Sequence, residues 1–258
     1  MPKFAANLSM LFTEHDFLDR FEAAAKAGFD GVEYLFPYDY PAEVIKSCLA
    51  DNQLQQVLFN LPAGDWEAGD RGIAVDPTRV EAFRDGVPLA IEYAKALGCT
   101  QVNCLAGIVP DGVSEQQAHA TLVDNLRFAA QALEAEGIRL VIEAINTRDI
   151  PGFFLNTTAQ GKAIIAEVGS ANLSLQYDIY HMQIMEGDLA ITLQENLGQI
   201  AHVQLADNPG RHEPGTGEIN YPFVLSHLDL LGYAGWVGCE YKPKTTTLEG
   251  LNWLNQYR

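Results

Sequence analysis

Four oxygen-bearing side chains close four consecutive apolar runs in the second half of the chain. RLVIE ends on Glu143, LSLQYD on Asp178, AHVQ on Gln204 and WVGCE on Glu240. A carboxylate that closes a hydrophobic run suffers a heavy desolvation cost unless it is paired or bound to a cation. Taken singly, each reads as a helix cap or a loop ion pair. Four in register at one rim read as a site. Three carboxylates and an amide oxygen, with no cysteine among them and no histidine doublet nearby, form a hard-oxygen donor set. Such a set suits Mg²⁺ or Mn²⁺ better than Zn²⁺.

Polar residues in the neighbouring loops extend the pattern. His181 stands three residues past Asp178, where it could bond a substrate, order the ligand set, or simply cap a helix. The Gly/Pro-shaped loop from Asp207 to Glu218 offers Arg211, His212 and Glu218. Arg211 is a candidate clamp for a substrate carboxylate, because guanidinium binds carboxylate bidentately; the alternative is a solvated loop arginine. Lys242, two residues past Glu240, lies beside the metal site or pairs with a helix carboxylate. The stretch Asn60 to Arg71 reads as a lid with Trp66 as an apolar plug, or as local packing.

The elements that must hold these residues alternate strand and helix. Strands are expected at Phe4–Leu8, Gly31–Phe36, Leu54–Phe59, Gln101–Leu105, Ile138–Ile142, Leu173–Tyr177, Ile200–Leu205 and Trp236–Cys239. Helices are expected over Glu14–Ala27 after a Thr13 cap, and from about Pro41 to Ala50. Others follow over Pro77–Leu97, Ser114–Glu136, a segment capped by Thr157 or Thr158, Asp188–Leu197, Tyr221–Leu231 and Leu248–Gln256. Long irregular loops fall at Asn60–Val75, Asn146–Asn156 and Ala206–Asn220. Eight β-then-α units close as a (β/α)8 TIM barrel, one domain over 1–258, with catalytic groups at the carboxyl ends of the strands. A doubly wound sheet is the alternative; it usually carries a Gly-rich phosphate turn, and no GxGxxG or P-loop appears.

Composition narrows the function classes. Against 16 Lys and Arg stand 34 Asp and Glu, a net charge of −18, which argues against nucleic acid and anionic membrane surfaces as partners. A small anionic substrate remains compatible, since one or two local cations outweigh a field screened beyond about 8–10 Å. No apolar run approaches the ~20 residues of a membrane helix. The opening MPKFAANLSMLF reads as a first strand rather than a signal peptide. The four cysteines form no CxxC pair and sit in apolar surroundings, which points to the cytoplasm. A homo-oligomer is left open.

The segments FAANLSMLF, NLPAGDWEAGDRGIA, QYDIYHMQIMEG, ADNPGRHEPGTGEINY and WVGCEYKP closely resemble the hydroxypyruvate isomerase branch of the xylose-isomerase-like TIM barrels, along essentially the whole chain. The resemblance implies a metal-dependent isomerase of glyoxylate metabolism that interconverts hydroxypyruvate and tartronate semialdehyde through an enediolate. It implies Glu143 and Glu240 as the acid/base pair, and Glu143, Asp178, Gln204 and Glu240 as the metal ligands. Sugar epimerases of the wider family usually place a His where Gln204 stands, which favours the keto-acid branch. A paralogous branch acts on 2-oxo-tetronate, and other keto-sugar or sugar-acid isomerases and epimerases are the remaining catalytic alternatives. The non-enzymatic alternative is a metal-dependent sugar-acid binding protein.

Overall fold

Eight short parallel strands line the centre of the molecule in a computed structural model that describes residues 2–257. They are β1 (Lys3–Asn7), β2 (Gly31–Glu33), β3 (Gln55–Leu58), β4 (Gln101–Cys104), β5 (Arg139–Glu143), β6 (Leu173–Asp178), β7 (Ile200–Leu205) and β8 (Trp236–Cys239). The ladder runs β3-β2-β1-β8-β7-β6-β5-β4. The remaining seam, between β3 and β4, is closed just beyond β3. There the Asn103 N–H donates to the Phe59 carbonyl at 2.9 Å and the Leu61 N–H to the Asn103 carbonyl at 2.8 Å. The expected TIM barrel is therefore the observed one.

Helices α1 (Arg20–Lys26), α2 (Ala42–Asp51), α3 (Val80–Leu97), α4 (Glu115–Glu134), α5 (Thr158–Val168), α6 (Ile179–Met185), α7 (Leu189–Asn196) and α8 (Tyr221–Leu230) surround the strands. Local chemistry sets several of their ends. Ser114 and Gln117 form a reciprocal capping box at the start of α4, and the Thr157 side chain caps α5. Gly98 ends α3 in the left-handed region at φ 66°, where glycine carries no Cβ penalty. None of these helices is long and apolar enough to cross a membrane.

Three elements differ from expectation. The first helix is short because residues 13–16 are tied elsewhere. Phe12 turns at φ 59° and donates its N–H to Thr247 Oγ1 at 2.7 Å, while the Glu14 carboxylate accepts from the Thr247 N–H and hydroxyl. The closing segment Glu249–Tyr257 is a 3₁₀ helix rather than an α-helix. Helix α6 was not anticipated. It follows β6 with no break, and Asp178 is both the last strand residue and the helix cap.

Strand alternation sorts the barrel interior into layers. Ala5, Val57, Leu58 and Val141 make an apolar floor with Ala201 and Trp236. Two residues further along β1 and β5, the same facing carries Asn7 and Glu143. Register shifts interrupt the ladders at Val32/Glu33 and at Leu175/Gln176, irregularities of the kind that re-aim side chains beside active sites.

Candidate active site

A cavity of about 80 Å³ opens above the apolar floor. Glu143, Gln204, Glu240, His181 and Arg211 all line it, with Glu33, Gln176 and Asn7 below and Trp66 and Ile150 at the mouth. Asp178 reaches the same cluster from the end of β6: its Oδ2 lies 3.7 Å from His181 Nε2 and 3.7 Å from an Arg211 guanidinium nitrogen. One carboxylate oxygen of Glu143, one of Asp178 and a ring nitrogen of His181 lie within 4.8 Å of one another.

The electrostatics follow from three buried carboxylates facing one guanidinium. Arg211 meets Glu240 Oε2 at 2.9 Å. Burial pushes Glu143 well above the usual carboxylate range, and the charges of Glu240 and Asp178 push the same way against the pull of Arg211. Glu240 is raised to about 8, by burial first, with Arg211 offsetting part of it. Asp178 is raised by burial, more than Arg211 and the N–H groups of Tyr180 and His181 lower it. Two buried oxygens, Glu143 Oε1 and Asp178 Oδ2, have no hydrogen-bond partner among the described residues. Buried unpaired carboxylate oxygens are costly, and a bound cation relieves that cost.

His181 is nearly inaccessible and held well below its ordinary value, by burial and then by Arg211, so it stands neutral. The backbone N–H of Asn146 points at its Nδ1 from 3.4 Å, and the Asn146 side-chain amide approaches the same nitrogen. With Nδ1 accepting, Nε2 carries the proton and aims it at Glu143 and Asp178. That tautomer makes His181 a donor into the cavity rather than a cation ligand.

Arg211 owes its position to the loop after β7. Asp207 is the hub of that loop: Oδ1 accepts from the N–H groups of Asn208 and Ile219, and Oδ2 from those of Gly215 and Gly217. The Arg211 backbone is left-handed at φ 57°, and its carbonyl accepts from the Lys242 N–H at 2.7 Å. Lys242 itself is exposed and faces a separate surface groove with Ser9, Met10, Thr13 and Glu14. His212 reaches the Lys242 carbonyl at 2.7 Å, and exposed Glu218 bonds Asn208 and Gln183. The structure thus gathers Arg211 and His181 with the carboxylates and leaves Lys242 outside. Trp66 meets Phe36 edge-on at 5.1 Å between ring centres, and the Arg71 guanidinium covers it at 4.3 Å.

Sequence reasoning missed the residues beneath this rim. Glu33, Asn7, Gln176 and His202 are buried and bonded to one another or to Gln204. The available signal was weaker: Glu33 and Asn7 are lone polar side chains inside the apolar stretches GVEYLF and FAANLSMLF, where a polar residue must find a buried partner.

Known proteins resemble this chain along its whole length. It is 58% identical over 258 residues to hydroxypyruvate isomerase of Escherichia coli, covering 100% of both chains. It is 50% identical over 257 residues to 2-oxo-tetronate isomerase of Cupriavidus necator, covering 100% of this chain and 99% of that one. A crystal structure from Brucella melitensis, named as an AP endonuclease of family 2, superposes with a TM-score of 0.98 at 46% identity, covering 100% of each chain. The family model described as xylose isomerase-like TIM barrel matches residues 21–257, all of the barrel beyond β1 and the turns that follow it, and the chain belongs to that family.

Proposed function

We propose that the chain is an aldose–ketose-type isomerase that interconverts hydroxypyruvate and 2-hydroxy-3-oxopropanoate (tartronate semialdehyde). The observation that carries this reading is the pairing of Glu143 and Glu240 in one buried cavity, both held above the ordinary carboxylate range, with Arg211 as the cation beside them. The full-length identity of 58% to a hydroxypyruvate isomerase supports it.

The donor set fits Mg²⁺ or Mn²⁺, since Glu143 Oε1 and Asp178 Oδ2 are buried oxygens without partners among the described residues. Glu143, Asp178, Gln204 and Glu240 would hold the ion. When bound, it supplies Lewis-acid polarisation of the substrate oxygens, worth several kcal/mol. The protein's own share is proton handling. Without the ion, like charges in one dry site cannot all ionise, and the pair holds a proton between them near neutral pH. One glutamate takes the proton from carbon 3 while a proton is returned to carbon 2, the hydroxyl proton passes from the carbon-3 oxygen to the carbon-2 oxygen, and the roles exchange in the reverse direction. His181 donates Nε2–H to an oxygen that gains charge, and Arg211 faces the substrate carboxylate.

The second reading is a four-carbon substrate, favoured by the 50% identity to a 2-oxo-tetronate isomerase. A nuclease activity, the name carried by the Brucella structure, is disfavoured by the net charge of −18. A cytoplasmic setting is in keeping with four cysteines joined by no disulfide. The deciding experiment incubates the purified protein with a panel of two- to six-carbon keto acids and ketoses plus Mn²⁺ or Mg²⁺, identifying products by NMR. Turnover of hydroxypyruvate in D₂O should place deuterium on carbon 2 faster than an enzyme-free control, and chelation should abolish it. No turnover of any keto acid, or full turnover in demonstrably metal-free protein, would overturn the reading.

A further inference from the structure

Glu33 ends β2 completely buried, directly beneath the rim of carboxylates. Its Oε1 accepts from Asn7 Nδ2 at 3.0 Å and from Gln204 Nε2 at 2.7 Å, and its Oε2 meets His202 Nε2 at 2.7 Å. The surroundings define this as a built acceptor. Asn7 Oδ1 takes the Ser9 backbone N–H at 3.1 Å, which leaves its amide nitrogen for Glu33. Gly238, opposite Gln204 in the β7–β8 register, lies against the carboxylate so closely that an added Cβ would overlap both oxygens. Its backbone has no left-handed φ, so glycine serves here for space alone.

The consequence falls on Gln204. A glutamine amide keeps its shape when turned by 180°, but a carboxylate accepts hydrogen bonds only from the NH₂ end. With Nε2 held by Glu33, Gln204 Oε1 must face the other way. There it accepts from Gln176 Nε2 at 2.6 Å, and a carbonyl oxygen keeps a second lone pair. Neither atom of this amide is left free to choose.

We propose that Glu33 is a positioning residue: it locks the amide of Gln204 so that the carbonyl oxygen, not the NH₂, is presented to a divalent cation among Glu143, Asp178 and Glu240. The proposal rests on the cation reading above. It makes a residue outside the four-residue donor set decide whether the fourth ligand is a donor oxygen or a repelling N–H.

The test measures binding of Mn²⁺ alone, by loss of the free-ion electron paramagnetic resonance signal. Glu33→Gln gives three donors a single carbonyl oxygen and an NH₂ to face. The simplest relief turns Gln204 over, so Mn²⁺ affinity should fall about 10–100-fold, as when other outer partners of metal ligands are removed. The exchange Glu33→Gln with Gln204→Glu restores an oxygen on both sides. Gln at 33 then donates to Glu at 204, whose second oxygen faces the ion, and affinity should return to near the wild-type value. Equal Mn²⁺ affinity in wild type and Glu33→Gln, or a folded double variant that binds no better than the single one, overturns the proposal. Should neither variant fold, wild-type protein with labelled glutamine decides. On adding Mg²⁺ the Gln204 ¹³Cδ resonance should move while its NH₂ protons hold their shift, and the reverse pattern overturns the proposal. Wild-type protein that takes up no Mn²⁺ removes the cation reading itself, whereas uptake unaffected by Glu33→Gln removes only this one.

Discussion

Glu143, Asp178 and Glu240 share one cavity with a single guanidinium, and the imbalance has a pH signature. Glu143 and Glu240 both lie above the unfolded carboxylate value of 4.5 in the folded protein, Glu240 at about 8. Between those limits the folded state binds more protons than the unfolded chain, so stability falls as pH rises through the window. Cation uptake expels the same protons. Mn²⁺ affinity should therefore climb as pH rises from 6 to 8, by up to about tenfold per unit for each proton released. Calorimetry in buffers of different ionisation enthalpy counts those protons, and a pH-independent affinity would contradict the assignment. At saturating Mn²⁺, Glu143→Gln and Glu240→Gln should each lower kcat by about two to four orders of magnitude. If both keep wild-type kcat, they are ligands only and the proton carrier is elsewhere. The rim residues were legible in the sequence because each ends a clear apolar run. Glu33 was hidden because β2 stops there although the apolar run GVEYLF goes on to Phe36, so the residue reads as the middle of a strand rather than its end. Lys242, left open in the sequence, falls in a separate surface groove: β8 ends at Cys239, so strand alternation says nothing about which way residue 242 faces.

The loop after β7 and helix α6 are the elements that aim the site. Asp207 takes four backbone N–H groups that have no other use for their protons, and so fixes the path that carries Arg211 onto Glu240. Asp207→Ala should cost about 2–4 kcal/mol in denaturant unfolding, because two buried and two part-buried donors lose their acceptor together. It should also raise KM for a keto acid while sparing metal affinity, separating a loosened Arg211 from a damaged ligand set. Comparable losses in KM and in metal affinity would mean that the loop supports the ligands as well. In helix α6, Asp178 Oδ1 accepts from the N–H groups of Tyr180 and His181, leaving only Oδ2 toward the cavity. Sequence periodicity could not find this helix. The run LSLQYDIYHMQIM carries no Gly or Pro where strand becomes helix, and the break is made by a side chain that looks like a strand end. The long loops and most helix ends were readable, since Gly98, Ser114 and Thr157 announce them by residue type.

At the scale of the whole molecule, the alternation of β and α units was enough to name the barrel, because parallel strands joined by helices have few ways to close. What it could not show is that the ring is unevenly sewn. Around β5, β6, β7 and β8, which carry the rim residues, paired strands run in register over three or four positions. Between β3 and β4 the closure is the single bridge of Asn60 with Asn103, reinforced by their side-chain amides at 3.0 Å. The segment Asn60–Val75, which brings Trp66 over the cavity, departs from that same seam. A ring stitched firmly on one arc and lightly on another does not breathe evenly. Its low-energy opening should part the seam and lift the mouth from one side, while the arc of β5 to β8 stays still. Amide hydrogen exchange should resolve this, with Leu61 and Asn103 exchanging well ahead of Val141, Leu175 and Val203; uniform protection around the ring would show that substrate must enter past Trp66 by loop motion alone.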